Sequence, residues 1–265
     1  MLRSMYSGIS GLKNMQTKLD VIGNNIANVN TFGYKKGRAT FKDMISQQIA
    51  GASAPGAGLG GTNPRQIGLG SMISSIDTVH TGGSLQNTNR ELDLGISGDG
   101  YFRVSDEDGE NIFYTRAGNF YFDEEGYIVN ADGYYLLADD GRIQLEPGTF
   151  ASFSIGQTGQ VNYIDNDGEL QEAATISLAY FANPEGLQKA GSNLYQISAN
   201  SGEENATTPG EEGTGLLVAG TLEMSNVDLS EEFTEMIVAQ RAFQANTRII
   251  TTSDEILQEL VNLKR

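Results

Sequence analysis

The chain has 265 residues, 38% hydrophobic and 19% charged, with 33 glycines, no Cys, no Trp, one His and a formal net charge of −17. That length supports one or two domains with a sizeable core, and the missing Cys excludes disulfides, thiolate metal sites and a thiol nucleophile. One His leaves little room for zinc or imidazole chemistry, and the acidic balance disfavours nucleic acid and anionic membranes.

The longest apolar runs have five residues, as in 178–182. A membrane span needs about 20 and a signal peptide at least ~7, so neither is expected. Charge is unevenly spread: residues 1–42 hold seven Lys/Arg against one acid, and residues 91–228 hold 25 acids against four bases.

The first thirty residues predict a helix. Leu2, Met5, Ile9, Leu12, Leu19 and Ile26 fall on the a and d places of one heptad frame, and Met15, Ile22 and Val29 form a column beside it. Gly33 suits a left-handed stop just beyond. Gly8, Gly11 and Gly23 each cost such a helix about 1 kcal/mol relative to Ala. The stretch 34–80 reads as an extended connector, since residues 50–70 are rich in Gly, Ala and Pro without a period.

Short apolar runs then recur at 101–104, 112–115, 120–122, 127–129, 134–138, 143–145, 161–164, 175–181, 195–197 and 216–222. Asp108-Gly109, Glu125-Gly126, Asp132-Gly133, Asp140-Gly141 and Asp167-Gly168 separate them, and Asp-Gly is a strong hairpin signal. About ten strands so spaced predict an antiparallel sandwich or barrel-like domain.

The last 37 residues predict the matching helix. Asp228 and Glu231 have capping-box spacing, and Glu231, Glu232 and Glu235 suit the positive end of the helix dipole, Lys264 and Arg265 the negative end. Phe233 and Val261 take a positions, and Met236, Phe243, Ile250 and Leu257 successive d positions. The fold class is therefore α+β: long N- and C-terminal helices packed as a coiled-coil-like pair, with a central antiparallel β-rich domain. Residues 1–33 with 226–265 form the helical domain, 34–80 the connector and 81–225 the β domain. Both helical stripes are narrow enough to need shelter from each other or from other subunits.

Candidate chemistry is sparse. Gly56, Gly58 and Gly61 match G-x-G-x-x-G, but no strand precedes them and no helix follows, so no amides are aimed at a pyrophosphate. Asp165, Asp167 and Glu169 resemble the start of a calcium loop, with the glycine misplaced and Ile176 at position twelve. Asp123 with Glu124, and Asp139 with Asp140, sit in turns beside Gly, where both carboxylates of a pair stay ionised. His80 has no nucleophile or metal partner nearby, and Asn205-Ala206-Thr207 matches a glycosylation pattern in a polar loop. No cofactor, metal or catalytic centre is expected.

The segment Asn24-Asn25-Ile26-Ala27-Asn28-Val29-Asn30-Thr31-Phe32-Gly33-Tyr34-Lys35 resembles the signature of bacterial flagellar rod and hook proteins. Residues 98–102, 115–120, 223–228 and 240–265 are similar to further blocks of that family. Its signature residues here are Asn24, Asn25, Ala27, Asn28, Asn30, Thr31, Gly33, Tyr34 and Lys35. The resemblance implies a non-enzymatic axial subunit of the flagellum, outside the cell, exported by the flagellar type III apparatus without a cleaved signal. It also implies polymerisation into a hollow tube, with copies of itself and adjacent rod, hook-cap and hook–filament junction proteins as partners, and no nucleic acid or membrane insertion. The seam residues Leu2, Met5, Ile9, Leu12, Leu19, Ile22, Ile26, Phe233, Met236, Phe243, Ile250, Leu257 and Val261 then become subunit contacts. Within the family, the size suits a distal rod protein or a compact hook protein without the extra outer domain of larger hooks. Residues 63–70 look more like a hook protein, so a torque-transmitting compact hook subunit is the leading reading and a distal rod subunit the alternative. A more remote rival is a glycan-binding or glycan-cleaving β domain with helical ends.

Overall fold

The computed structural model describes residues 2–54, 60–106, 111–139, 141–145, 148, 150–166 and 168–263, with the side chains of residues 2, 150 and 151 excepted. Gly56, Gly58, Asp108, Gly109, Asp140, Asp167, Lys264 and Arg265, and the side chain of Leu2, therefore lie outside the described residues. The chain divides into a helical unit (residues up to Ala27, Gly37–Thr78, and Asp228 onward) and a β unit (Asn28–Lys36 and Val79–Val227).

In the helical unit, α1 spans Leu2–Ala27 and α2 spans Leu229–Leu263. Asp228 starts α2: its carboxylate accepts from the backbone N–H of Ser230 at 2.8 Å and of Glu231 at 3.4 Å. Glu231 and Glu232 add negative charge at the positive end of the helix. The helices pack antiparallel. Gly8 lies against Ile250 and Gly11 against Asn246, while Lys18 Nζ meets Glu235 at 2.6 Å and Asn25 meets Glu232 at 3.2 Å.

This seam differs from the heptad reading. On α2 its buried positions are Glu232, Ala239 and Ser253, one place before the a positions at Phe233, Gln240 and Asp254. On α1 Gly8, Gly11, Lys18 and Asn25 face the partner, so the seam is turned by about a quarter to a third of a turn from the Leu2/Met5/Ile9 stripe. Small residues decide this. A Cβ on Gly11 would stand 2.7 Å from the Asn246 side-chain amide, so with glycine there that amide lies directly against the α1 backbone. Two of the glycines that weaken α1 as an isolated helix, Gly8 and Gly11, are points where α2 docks, whereas Gly23 is exposed.

The stretch read as a connector carries paired strands. Gly37–Asp43 runs antiparallel to Ser71–Thr78, with a bulge at Thr40/Phe41, and Ser46–Ala50 runs antiparallel to Arg65–Gly68. The first pair packs on α1 in part through Asn14, whose amide donates to Ser71 Oγ at 2.8 Å. The second pair is exposed along both strands.

The β unit is antiparallel throughout its described ladders. Its largest sheet runs in the order 188–191, 194–196, 112–115, 101–105, 135–138, 128–129 and 121–122, with 178–180 also paired to 101–105. A three-stranded sheet, 150–155, 160–165 and 170–175, stands beside it. Phe102, Val104, Phe120, Ile128, Leu136, Val161, Ile176, Leu178 and Leu217 form the core, with Phe102 and Phe120 meeting edge-on at 5.3 Å.

Two predicted strands are each split in two. Gly220 at φ +73° breaks 216–222, so that Leu216–Ala219 pairs with Leu94–Ser97 and Thr221–Glu223 with Leu85–Asn87. The run 175–181 divides because Ile176 and Ser177 turn their amides to Gly159 and Leu137. Residues 143–145 form no strand of their own, although Ile143 and Leu145 are buried in the core.

Candidate functional site: helix flanks and a buried ion cluster

The polar, close-packed seam leaves the larger apolar side chains on the flanks of the helices. Of the expected seam residues, Ile22 is buried, and Met5, Leu12, Leu19, Ile26, Met236, Phe243, Ile250 and Leu257 are half-buried. Ile9, Phe233 and Val261 are exposed, Phe233 at 49% and Val261 at 65%. Heptad counting did not single out Tyr6, Ile237, Val238, Ile249, Ile256, Leu260 and Leu263, yet all are exposed as well. Exposed apolar residues repeated along one helix form the kind of surface that marks contact with another chain.

The signature residues divide between the two units. In the helical unit Asn24 and Ala27 are exposed, while Asn25 is buried and brackets Gly37, donating to its carbonyl and accepting from its N–H, each at 2.9 Å. That bracket, with the bond to Glu232, joins the end of α1, the first strand and the start of α2 through one amide.

In the β unit Asn28 and Thr31 close a turn, Thr31 donating to Asn28 through both its N–H and its hydroxyl at 3.1 Å, with Asn30 exposed. Gly33 takes φ +68°, as the left-handed stop requires, and a Cβ there would strike the Arg116–Ala117 peptide. Lys189 Nζ lies over the Tyr34 ring, 5.1 Å from its centroid.

Lys35 ends the segment inside the β unit. Its Nζ lies 2.6 Å from Glu223 Oε1, with both side chains 1% exposed, and donates to the Thr81 carbonyl at 2.9 Å. Glu223 Oε1 also accepts from the Gly83 N–H at 2.8 Å, and its Oε2 accepts from Arg116 Nη1 at 3.1 Å. Arg116 donates to the Gly98 carbonyl at 2.9 Å and lies over the Tyr101 ring. Burial pulls the Lys35 ammonium below its ordinary range, Glu223 opposes that pull, and Arg116 adds to it.

His80 stands nearby, its Nδ1 2.6 Å from the Tyr101 hydroxyl. Burial, with the charges of Lys35, Arg116 and Lys189, lowers its pKa to about 4 and keeps it neutral. An unfolded His titrates near 6.5, so the unfolded chain binds the extra proton between about pH 6.5 and 4. The stability held by neutral His80 is complete above pH 6.5 and is lost as pH falls through that window, roughly 3 kcal/mol in all. Urea unfolding of parent and His80→Gln at pH 7.5 and at pH 4.5 checks this: the parent should lose about 2 kcal/mol more than the variant on acidification.

The other candidates resolve into structure. Asp123 and Glu124 lie in a turn closed by Gly126 N–H to the Asp123 carbonyl at 3.0 Å, and Asp165 heads a hairpin turn closed by Gly168 at 2.9 Å. Gly61 is exposed. Asn205 lies on the strand Asn205–Thr207, paired with Leu178–Tyr180, and not in a loop. Among the described residues no group of three His, Asp or Glu side chains is placed to hold a metal ion, and no described helix is long and apolar enough to cross a membrane.

Sequence reasoning missed Arg116 and Glu223. Both fall within the similar blocks at 115–120 and 223–228, which was the available signal, but spacing along the chain does not reveal that they meet Lys35.

The fold defines an α+β protein whose two ends pair as helices and whose middle forms an antiparallel β unit. Residues 5–35 match the model described as flagella basal body rod protein, residues 95–163 the flagellar hook protein FlgE/F/G D1 domain, and residues 218–263 the flagellar basal body rod FlgEFG protein C-terminal. The chain is 62% identical over 266 residues to the flagellar basal-body rod protein FlgG of Bacillus subtilis (strain 168), covering 100% of both chains. It is 40% identical over 270 residues to the flagellar basal-body rod protein FlgG of Borreliella burgdorferi, again over 100% of each. It is 30% identical over 443 aligned residues to the flagellar hook protein FlgE of the same organism, with 100% of each covered. The chain belongs to the flagellar rod and hook protein family, whose members are structural components of the flagellum.

Proposed function

We propose that the chain is a distal rod subunit of the flagellar basal body, a non-enzymatic protein that polymerises with copies of itself. The observation that carries this is the 62% identity to a rod protein over the whole of both chains. The hook relative aligns over 443 residues against the 265 here, so it holds a long additional stretch that this chain lacks. The compact hook reading drawn from residues 63–70 gives way to the higher identity to the rod protein, 62% against 30% to the hook relative. In this reading the neighbours along the axis are other rod subunits and, beyond them, hook, hook-cap and junction proteins, with delivery by the flagellar type III export apparatus.

The exposed apolar flanks of α1 and α2 supply the contacts between copies. Burial of apolar surface at about 25 cal/mol per Å², repeated in every subunit, favours association, and head-to-tail contacts that do not close produce an open helical polymer. The exposed pair Ser46–Ala50 and Arg65–Gly68, with Ile45, Ile49 and Ile67 uncovered, adds a second contact, since an isolated two-stranded ribbon is marginal in water.

Electron microscopy of polymerised chain tests the reading. Straight tubes are expected of a rod subunit, and supercoiled, bending tubes would return the hook. The paired substitution Phe233→Asp and Ile256→Asp, at two exposed α2 positions, should abolish tubes while leaving the circular dichroism of the dilute protein unchanged. Normal tubes from that variant would remove these flanks from the interface.

A further inference from the structure

We propose that the buried Lys35–Arg116–Glu223 cluster selects the register in which segment 28–36 lies on the β unit, rather than supplying that unit's stability. The cluster joins stretches far apart in the chain. One carboxylate takes the Lys35 ammonium, the Arg116 guanidinium and the Gly83 N–H, and the carbonyl of the same Glu223 accepts from the Gly33 N–H at 2.8 Å. Beside it Asn226 Oδ1 accepts from the Lys36 N–H at 2.7 Å, and Asn226 Nδ2 donates to the Val79 carbonyl at 2.8 Å. Arg116 apart, the residues so tied belong to 28–36, 79–83 and 223–227, the three pieces by which the chain enters and leaves this unit.

Hydrophobic burial is poorly placed to set that register. Within 28–36 the only buried residues are Gly33 and Lys35, and Val29, Phe32 and Tyr34 are each half-buried. A slip of one residue would bring Lys36 to Glu223, so a lysine alone does not forbid it. That slip would carry Tyr34 to the Gly33 position, where even a Cβ strikes the Arg116–Ala117 peptide, and the opposite slip would set Tyr34 where Lys35 meets Glu223. Gly33 and Lys35 together therefore admit one alignment. Stability is a weak explanation for the charges, because three ions removed from water carry desolvation penalties that apolar residues of similar volume avoid, and registry is the best-attested use of such groups.

The test is the neutral triple variant Lys35→Met, Arg116→Met and Glu223→Gln, in which the glutamine oxygen still serves the Gly83 N–H. Amide hydrogen exchange of the dilute chain reads the result without any polymer. Strand 101–105 should keep its protection within tenfold of the parent, while the Gly33 and Lys36 amides lose at least tenfold. Unchanged protection at Gly33 and Lys36 would overturn the proposal, and so would loss of protection throughout the β unit, which would make the charges a source of stability. A second arm rests on the rod reading: under conditions where the parent forms tubes of one lattice, the triple variant should give mixed lattices or none. A parent that forms no tubes counts against the rod reading alone, because the exchange arm stands apart from it. Parent-like tubes from the triple variant would overturn the register role.

Discussion

Replacing Glu223 by alanine is expected to lower the stability of the β unit by about 3–5 kcal/mol, the usual result of breaking a buried ion pair from one side. The loss has identifiable parts. Arg116 would keep its charge without the carboxylate, Lys35 would lose the group that opposes the pull of burial on its ammonium, and the Gly83 N–H would lose its acceptor. Ordinary salt-bridge deletions at a surface cost about 0–1 kcal/mol, because water replaces the partner. Here the pair is almost wholly removed from solvent, so no such replacement occurs. Urea unfolding followed by tyrosine near-ultraviolet circular dichroism measures the change, and a loss below about 1 kcal/mol would contradict the burial assigned to the cluster. Glu223→Gln should lose less, since its amide oxygen still accepts from Gly83.

Replacing Phe102 by alanine is expected to cost about 3–5 kcal/mol through lost transfer energy and the cavity left behind. Phe102 is fully buried on strand 101–105, where it opposes Leu178 on one side and Thr115 on the other. Its ring also packs edge-on against Phe120, so the vacancy opens where several elements converge and none can close it alone. Leu170→Ala is the control. Leu170 is 68% exposed at the start of its strand and should change stability by less than about 0.5 kcal/mol. Equal losses for the two variants would mean that strand 101–105 is not at the centre of the core.

The helices and most of the central strands were legible because their signals are local. Asp228 caps α2 through its own neighbours, Gly33 adopts the left-handed backbone expected after a helix, and the turns at Gly126, Gly133 and Gly168 all have positive φ. The pairing of Gly37–Asp43 with Ser71–Thr78 was not legible, because the two strands are polar and separated by a Gly-rich stretch without a period. The helix seam was misplaced for a related reason. A heptad count rewards large apolar residues, whereas contact at Gly8 and Gly11 rewards small ones, and the large residues then fall to the flanks.

Sequence alone determined the α+β class, the helical ends, the hairpin-rich middle and the likeness to flagellar rod and hook proteins, since propensity, capping and turn chemistry act over a few residues. Tertiary structure alone decided which face of α1 meets α2, and that Lys35 pairs with a carboxylate 188 residues away. A buried charge is tolerated only where the folded chain delivers its partner, and that delivery is a property of the whole fold.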